Sequence, residues 1–479
     1  MLSKASLLLL LLPAAASTRV CQLSANNQTQ PTNQTRPFDP SAPTNGTGST
    51  NGTIPEDDTP WVPTCKLPRH DFAWLSVGHG FMSDCVHSKG TIQGRMIFVD
   101  FSDAEALEGE SPEDAYDLLV PDANKWFQEI SHGQLDLNIT ADTSKFYRMP
   151  NSAESYGWDS GLSNQQHYAY VEDALDAYMN NGENLPPPVT DILYVVPTRN
   201  AAWMTRSLAS SFGAFTRNNT FVSNRAITFG VDPYNSWGYK ALNHETGHSM
   251  CLPDLYPLDI NFSPGEYVGG YSVMGNVGGI APDFFAWDKW RLGWLADEDI
   301  DCILEHGTTR HTLTPLETQG GTKAVVVAAN KTSALVAEAR TTKGADEKIC
   351  APGVLLYTID TTRSTGEGPI RVLDATPGSD SCGSEVSGWE PMNDATLSSD
   401  RMVGVFKLRH RNVYGIDDVE RRLFGWIGYE LFGVMYCLFF AFVAGSAMLS
   451  ISIVLNALSE HESCTAVFVA VAAIAAFIF

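Results

Sequence analysis

Positive charge is scarce in this chain: 31 Lys and Arg stand against 55 Asp and Glu, for a formal net charge of −24. Binding to phosphate backbones needs clustered basic side chains, so a nucleic-acid partner is excluded, and the excess of acid reads as ordinary solubility. Cysteine, at 9 in 479 residues, is too sparse to define a small disulfide-stapled scaffold. No internal repeat of fixed period is present. No G-x-S-x-G turn points to a serine hydrolase. No D-x-D-x-D-G loop marks a calcium site, so calcium has no support beyond the acidic composition. Charge-free runs long enough to cross a bilayer are missing until residue 431.

What is there begins with an export pattern. A short basic start, an apolar run with six consecutive leucines and the small residues Ala14-Ala15-Ala16-Ser17 read as a signal peptide over 1–17. Asn-x-Ser/Thr triplets begin at Asn27, Asn33, Asn45, Asn51, Asn138, Asn218, Asn261 and Asn330, four of them within 18–62. That segment is rich in Asn, Thr, Pro, Gly and Ser, and reads as a disordered, glycosylated stretch. The expected location is therefore secreted or extracellular. Seven cysteines precede the C-terminal tail: Cys21, Cys65, Cys85, Cys251, Cys302, Cys350 and Cys382. Cys65 with Cys85 is the expected local pair, two of Cys302, Cys350 and Cys382 the second, and Cys251 the free buried thiol.

Residues 63–300 carry short β-rich runs at 96–101, 192–196 and 227–231. Helical spacing falls at 121–130, with Pro121 in the first turn, and at 168–178, 237–250 and 284–295. Residues 301–408 change texture, with β-type runs at 312–316, 324–329, 334–339 and 353–360. The expected class is α+β: a catalytic domain followed by a small antiparallel β domain. A basic linker spans 409–430, and a hydrophobic tail fills 431–479. The tail reads as a membrane hairpin, a GPI-anchor signal or a mistranslated segment, and membrane anchoring would run through it. Lys407, Arg409, Arg411, Arg421 and Arg422 in front of it conflict with the orientation set by a signal peptide.

The chemistry centres on His244-Glu245-Thr246-Gly247-His248. Residues four apart share a helix face, so two imidazoles converge on one point, and imidazole is a zinc ligand. Glu245 stands where a carboxylate takes the proton of a metal-activated water. A third ligand is needed, and Asp254 follows the helix after a turn forced by Pro253, with Glu266 and Asp259 as fallback carboxylates. Downstream, Tyr271-Ser-Val-Met-Gly275 places Met274 in a turn. Tyr271 is the preferred oxyanion partner, with Tyr267 and Tyr256 as alternatives.

The string HETGHSMCLPDLY from His244, then YSVMG from Tyr271, then PDFFAWDKWRLGWL from Pro282 resembles the immune inhibitor A family of secreted metallopeptidases. The resemblance is specific over 241–295 and diffuse elsewhere in 63–408. It implies a metzincin-like zinc endopeptidase with one catalytic Zn2+, acting on protein or peptide substrates. His244, His248 and Asp254 would be ligands, Glu245 the general base and Met274 the residue of the Met-turn. The family's glycine in this motif is Cys251 here. A catalytically silent, metzincin-like binding glycoprotein is the alternative.

Overall fold

The computed structural model describes residues 64–80, 82, 84–158, 162–179, 188–280, 282–305, 307, 309–379, 382 and 392–397. The expected signal peptide, glycosylated segment, basic linker and tail, together with Cys21, lie outside the described residues. The described residues fall within one unit spanning 36–419. Among them, no helix is long and apolar enough to cross a membrane.

Two sheets and a small number of helices make a mixed α+β structure. The first sheet takes β1 (Gly90–Asp100), β2 (Leu135–Ala141), β3 (Tyr147–Arg148), β4 (Ile192–Pro197), β5 (Leu208–Arg217) and β6 (Thr220–Thr228). Its order is β2-β1-β4-β6-β5, with β3 pairing to the end of β1. The first four strands in that order are parallel, whereas β5 lies antiparallel to β6 at the edge. β4 is buried along its whole length, as a central parallel strand covered on both faces should be. Side-chain alternation divides the core in two. Met96, Phe98, Tyr194 and Val196 face one apolar cluster; Ile97, Val99, Leu193 and Val195 face the other.

Helix α1 (Pro112–Ile130) and helix α3 (Tyr239–Ser249) contribute to the first cluster, and α2 (Asn164–Met179) covers the second. The sequence reading started α1 too late. Ser111 is its N-cap, Pro112 stands in its first turn, and Asp114 closes a capping box with Ser111. Pro121 therefore lies inside the helix. It is tolerated because Pro121 and Asp117, whose carbonyl loses its intrahelical donor, are both exposed and water can substitute. The expected strand at 227–231 is the end of the longer β6. Its hairpin partner β5, rich in Ser, Ala and Gly, was not anticipated. Asn218 and Asn219, both at positive φ (51° and 61°), form the two-residue turn between them.

Helix α4 (Ala286–Arg291) is shorter than the 284–295 expected. It stops where Gly293 turns left-handed (φ 75°) and Trp294 N–H closes on Lys289 C=O at 2.8 Å. The second sheet follows: β7 (Ile300–Ile303), β8 (Ala324–Ala328), β9 (Ser333–Arg340), β10 (Gly353–Asp360) and β11 (Ile370–Val372), ordered β11-β10-β9-β8-β7. β8 to β11 pair antiparallel, but β7 joins β8 in parallel, a departure from the all-antiparallel expectation. The run at 312–316 forms no strand beyond a bridge from Pro315 to Ala339, because Pro315 has no N–H to donate. Leu355, Tyr357 and Ile359 of β10 share one apolar cluster with Trp287 of α4 and Leu242 of α3.

Candidate metal centre

Helix α3 carries the two histidines on one face, with their Nε2 atoms 3.1 Å apart. Each ring is fixed through its other nitrogen. His244 Nδ1 lies 2.8 Å from the Val273 carbonyl oxygen, and His248 Nδ1 lies 2.8 Å from that of Leu252. A carbonyl only accepts, so both Nδ1 atoms carry a proton, and each Nε2 is the nitrogen left to share a cation in the space between them. This is the orienting hydrogen bond that metal-bound histidines use.

The chain then turns sharply. Leu252 N–H reaches back to Gly247 C=O (3.0 Å) and Cys251 N–H to His248 C=O (2.8 Å), with Cys251 left-handed at φ 63°. After this turn Asp254 Oδ1 arrives 3.4 Å from His244 Nε2 and 3.1 Å from His248 Nε2. Asp254 is held from the far side by Thr365, whose hydroxyl accepts the Asp254 N–H at 2.7 Å and donates to Oδ2 at 3.2 Å. Gly366 N–H closes on the Asp254 carbonyl at 2.9 Å.

The next residue, Leu255, donates its N–H to Met274 C=O at 2.8 Å, which ties the Asp254 turn to the methionine turn. That second turn closes through Gly275 N–H to Ser272 C=O at 2.9 Å. Met274 is fully buried, and its sulfur stands 2.5 Å from where a β-carbon on Gly247 would lie, so a side chain at that helix position would displace the methionine.

Do these residues fit a metal ion? A tetrahedral zinc with ligand bonds of roughly 2.0–2.1 Å has ligand–ligand edges of about 3.3 Å. The three edges here are 3.1, 3.1 and 3.4 Å. Asp254 Oδ1 is buried and, among the described residues, has no hydrogen-bond donor other than the two facing Nε2 atoms. Two imidazole nitrogens and a carboxylate oxygen thus converge on one point, an arrangement that needs a cation. A proton is the competing cation. Burial alone would lower the His248 pKa, but the Asp254 carboxylate outweighs it and carries the value to about 9. The donor set therefore fits zinc, and metal content separates the two cations.

Glu245 is buried beside this cluster, where burial raises its pKa against the opposing pull of the two histidines. The Tyr256 ring stacks on His244 with centroids 6.1 Å apart, close enough for its hydroxyl to feel the Asp254 carboxylate. Burial first, then the Asp254 and Glu245 carboxylates, raise the Tyr256 pKa. Tyr271 is not at the centre: its hydroxyl is buried and donates to the Asn393 carbonyl at 2.8 Å. The oxyanion role expected of Tyr271 thus has no geometry here, and Tyr256 is the tyrosine that faces the cluster. Tyr267 is engaged elsewhere, under the Arg371 guanidinium at 4.3 Å. Of the fallback carboxylates, Asp259 caps the Asn261 backbone N–H at 3.0 Å, and neither it nor Glu266 joins the cluster.

The disulfides also differ from expectation. Cys65 pairs with Cys302, not with Cys85, and Cys251 is bonded to Cys85 instead of being a free thiol. Cys350 and Cys382 form the third bond, within the expected set. Spacing along the chain favoured local partners, whereas the fold brings the segment before β1 against the end of α3. A second grouping, Asp84 with Cys85 and Cys251, is no metal site, because both sulfurs are consumed by the disulfide. Thr365 and the pairing of Cys85 with Cys251 had no sequence signal at all. No protein-family model matches the chain, and no curated protein matches it significantly.

Proposed function

We propose that this protein is a zinc-dependent endopeptidase, with His244, His248 and Asp254 as metal ligands and Glu245 as general base. The observation that carries the reading is the convergence of two imidazole nitrogens and one carboxylate oxygen at tetrahedral spacing, each oriented by a partner behind it. Zinc bound there would polarise a substrate carbonyl and lower the pKa of a water toward roughly 7. Glu245, raised by burial, would accept that water's proton and return it to the leaving amine. The Tyr256 hydroxyl stands where it can donate to negative charge developing beside Asp254. β5 supplies an antiparallel sheet edge with which an extended peptide can pair.

The immune inhibitor A-like, metzincin-type assignment belongs to this proposal and rests on the motif string and its turns. So does secretion, with which three disulfides agree. The test is metal analysis and proteolysis on the purified full chain. One zinc per chain, lost in His244→Ala and retained without proteolysis in Glu245→Gln, is expected. Absence of stoichiometric zinc, or zinc-loaded protein that cleaves nothing in a broad protein panel, refutes the reading.

A further inference from the structure

We infer that the Cys85–Cys251 disulfide is the positioning element of the third ligand. It holds the residue between His248 and Asp254 in the left-handed conformation that delivers Asp254 to the two imidazoles. The inference rests on the metal reading above.

Between His248 and Asp254 the chain must leave the helix and reverse. Two hydrogen bonds define that reversal: Leu252 N–H to Gly247 C=O at 3.0 Å, and the Leu252 carbonyl to His248 Nδ1 at 2.8 Å. Both flank Cys251 and depend on its φ of 63°. One of them also orients a ligand ring, so an error at Cys251 would disturb His248 and Asp254 together. Left-handed backbone is natural for glycine and disfavoured for a residue with a β-carbon. Cysteine therefore stands at the one position of the motif where backbone freedom is most wanted, and something else must hold the turn.

The fold supplies it. Cys251 is bonded to Cys85 across 166 residues. Cys85 is itself anchored, because the following Val86 donates its N–H to Ser249 C=O at 2.8 Å and Ser88 donates its hydroxyl to Leu292 C=O at 2.7 Å. The segment before β1 thus grips the end of α3 by a hydrogen bond and a covalent bond one turn apart. A covalent tether at Cys251 replaces the conformational freedom that glycine would provide. The other two disulfides join residues outside this turn.

The experiment compares two double variants of the full chain, Cys85→Ala/Cys251→Ala and Cys85→Ala/Cys251→Gly. Both lack the tether and both lack a stray thiol. The readout is zinc affinity by competition with a chromogenic chelator. The alanine pair should bind zinc roughly 10–100-fold more weakly than wild type, and the glycine pair should stay within about threefold of it. Equal affinities in the two pairs would mean that the disulfide acts only on global stability, and would overturn the inference. If the alanine pair does not fold, the glycine pair against wild type decides: a tenfold loss overturns the inference and retention supports it. Wild-type protein without stoichiometric zinc sinks the metal reading itself, a separate result.

Discussion

Replacing Thr365 by valine removes one hydroxyl and keeps the shape. That hydroxyl is the only contact tying the Asp254 N–H and its Oδ2 to one atom, at 2.7 and 3.2 Å, and Thr365 is almost fully buried. A buried N–H left without an acceptor costs about 1–3 kcal/mol, and a tenfold change in affinity corresponds to about 1.4 kcal/mol. Part of that cost is relieved in the metal-free protein, where Asp254 is free to shift toward water. It is felt in full when a metal holds the carboxylate in place. Zinc should therefore bind roughly 10–100-fold more weakly, in line with the loss of a partner behind a metal ligand. Chelator competition on the intact chain measures it directly. Thr361→Val is the internal control: Thr361 is fully buried and its hydroxyl has no hydrogen-bond partner among the described residues, so valine there should leave zinc affinity unchanged and stability equal or higher. A Thr365→Val protein within about twofold of wild type would show that Asp254 is not held from Thr365, and would refute the geometry argued here.

Three further outcomes are expected. Pro121→Ala should raise stability by about 1–3 kcal/mol, since Pro121 sits inside α1 and interrupts its hydrogen bonding; an unchanged or lower thermal midpoint would contradict the helix as placed. His167 is driven by burial down to about 3, with Thr228 Oγ1 and Ser210 Oγ on its two nitrogens at 2.6 and 3.1 Å. Its folded pKa lies below the unfolded one, so its contribution is complete above about pH 6.5 and is lost at about 1.4 kcal/mol per unit as pH falls toward 3. His167→Gln should flatten that slope in urea titrations at successive pH values, and an identical slope would mean that His167 already carries a proton in the folded state. Asp288→Ala removes the carboxylate 3.1 Å from the buried Arg291 guanidinium; at pH 7.5 the loss should be about 3–5 kcal/mol, and a near-neutral result would show that the other partners of Arg291, the Ser76 and Gly78 carbonyls among them, suffice.

How legible was the site? His244 and His248 were readable because helical periodicity alone sets their common face, and Pro253 fixed where the helix must end. Asp254 followed because it lies one chain reversal beyond that helix, and Met274 because it stands in the Tyr271–Gly275 turn of the motif string. The tyrosines were not separable by sequence, and only packing sends Tyr256 to His244 and Tyr271 to Asn393. Thr365 and Cys85 were invisible because their partners lie 111 and 166 residues away, where no local pattern reports on contact. In the fold, long buried runs such as β4 announced themselves. The edge strand β5 did not, since Ser, Ala and Gly carry little apolar signal. Pro121 misled because proline marks a helix start only when a capping residue precedes it, and that residue was Ser111.

The loop carrying Thr365 and Gly366 lies between β10 and β11 of the second sheet, yet it completes the setting of Asp254 in the turn that follows α3. The centre is therefore not portable. A fragment ending near residue 300 would retain every residue of the histidine motif and still lack the hydroxyl and backbone N–H that grip Asp254. Conversely, changing the length of the β10–β11 connection would tune how firmly the carboxylate is held without altering any metal-facing side chain, a handle for graded weakening in an engineered chain.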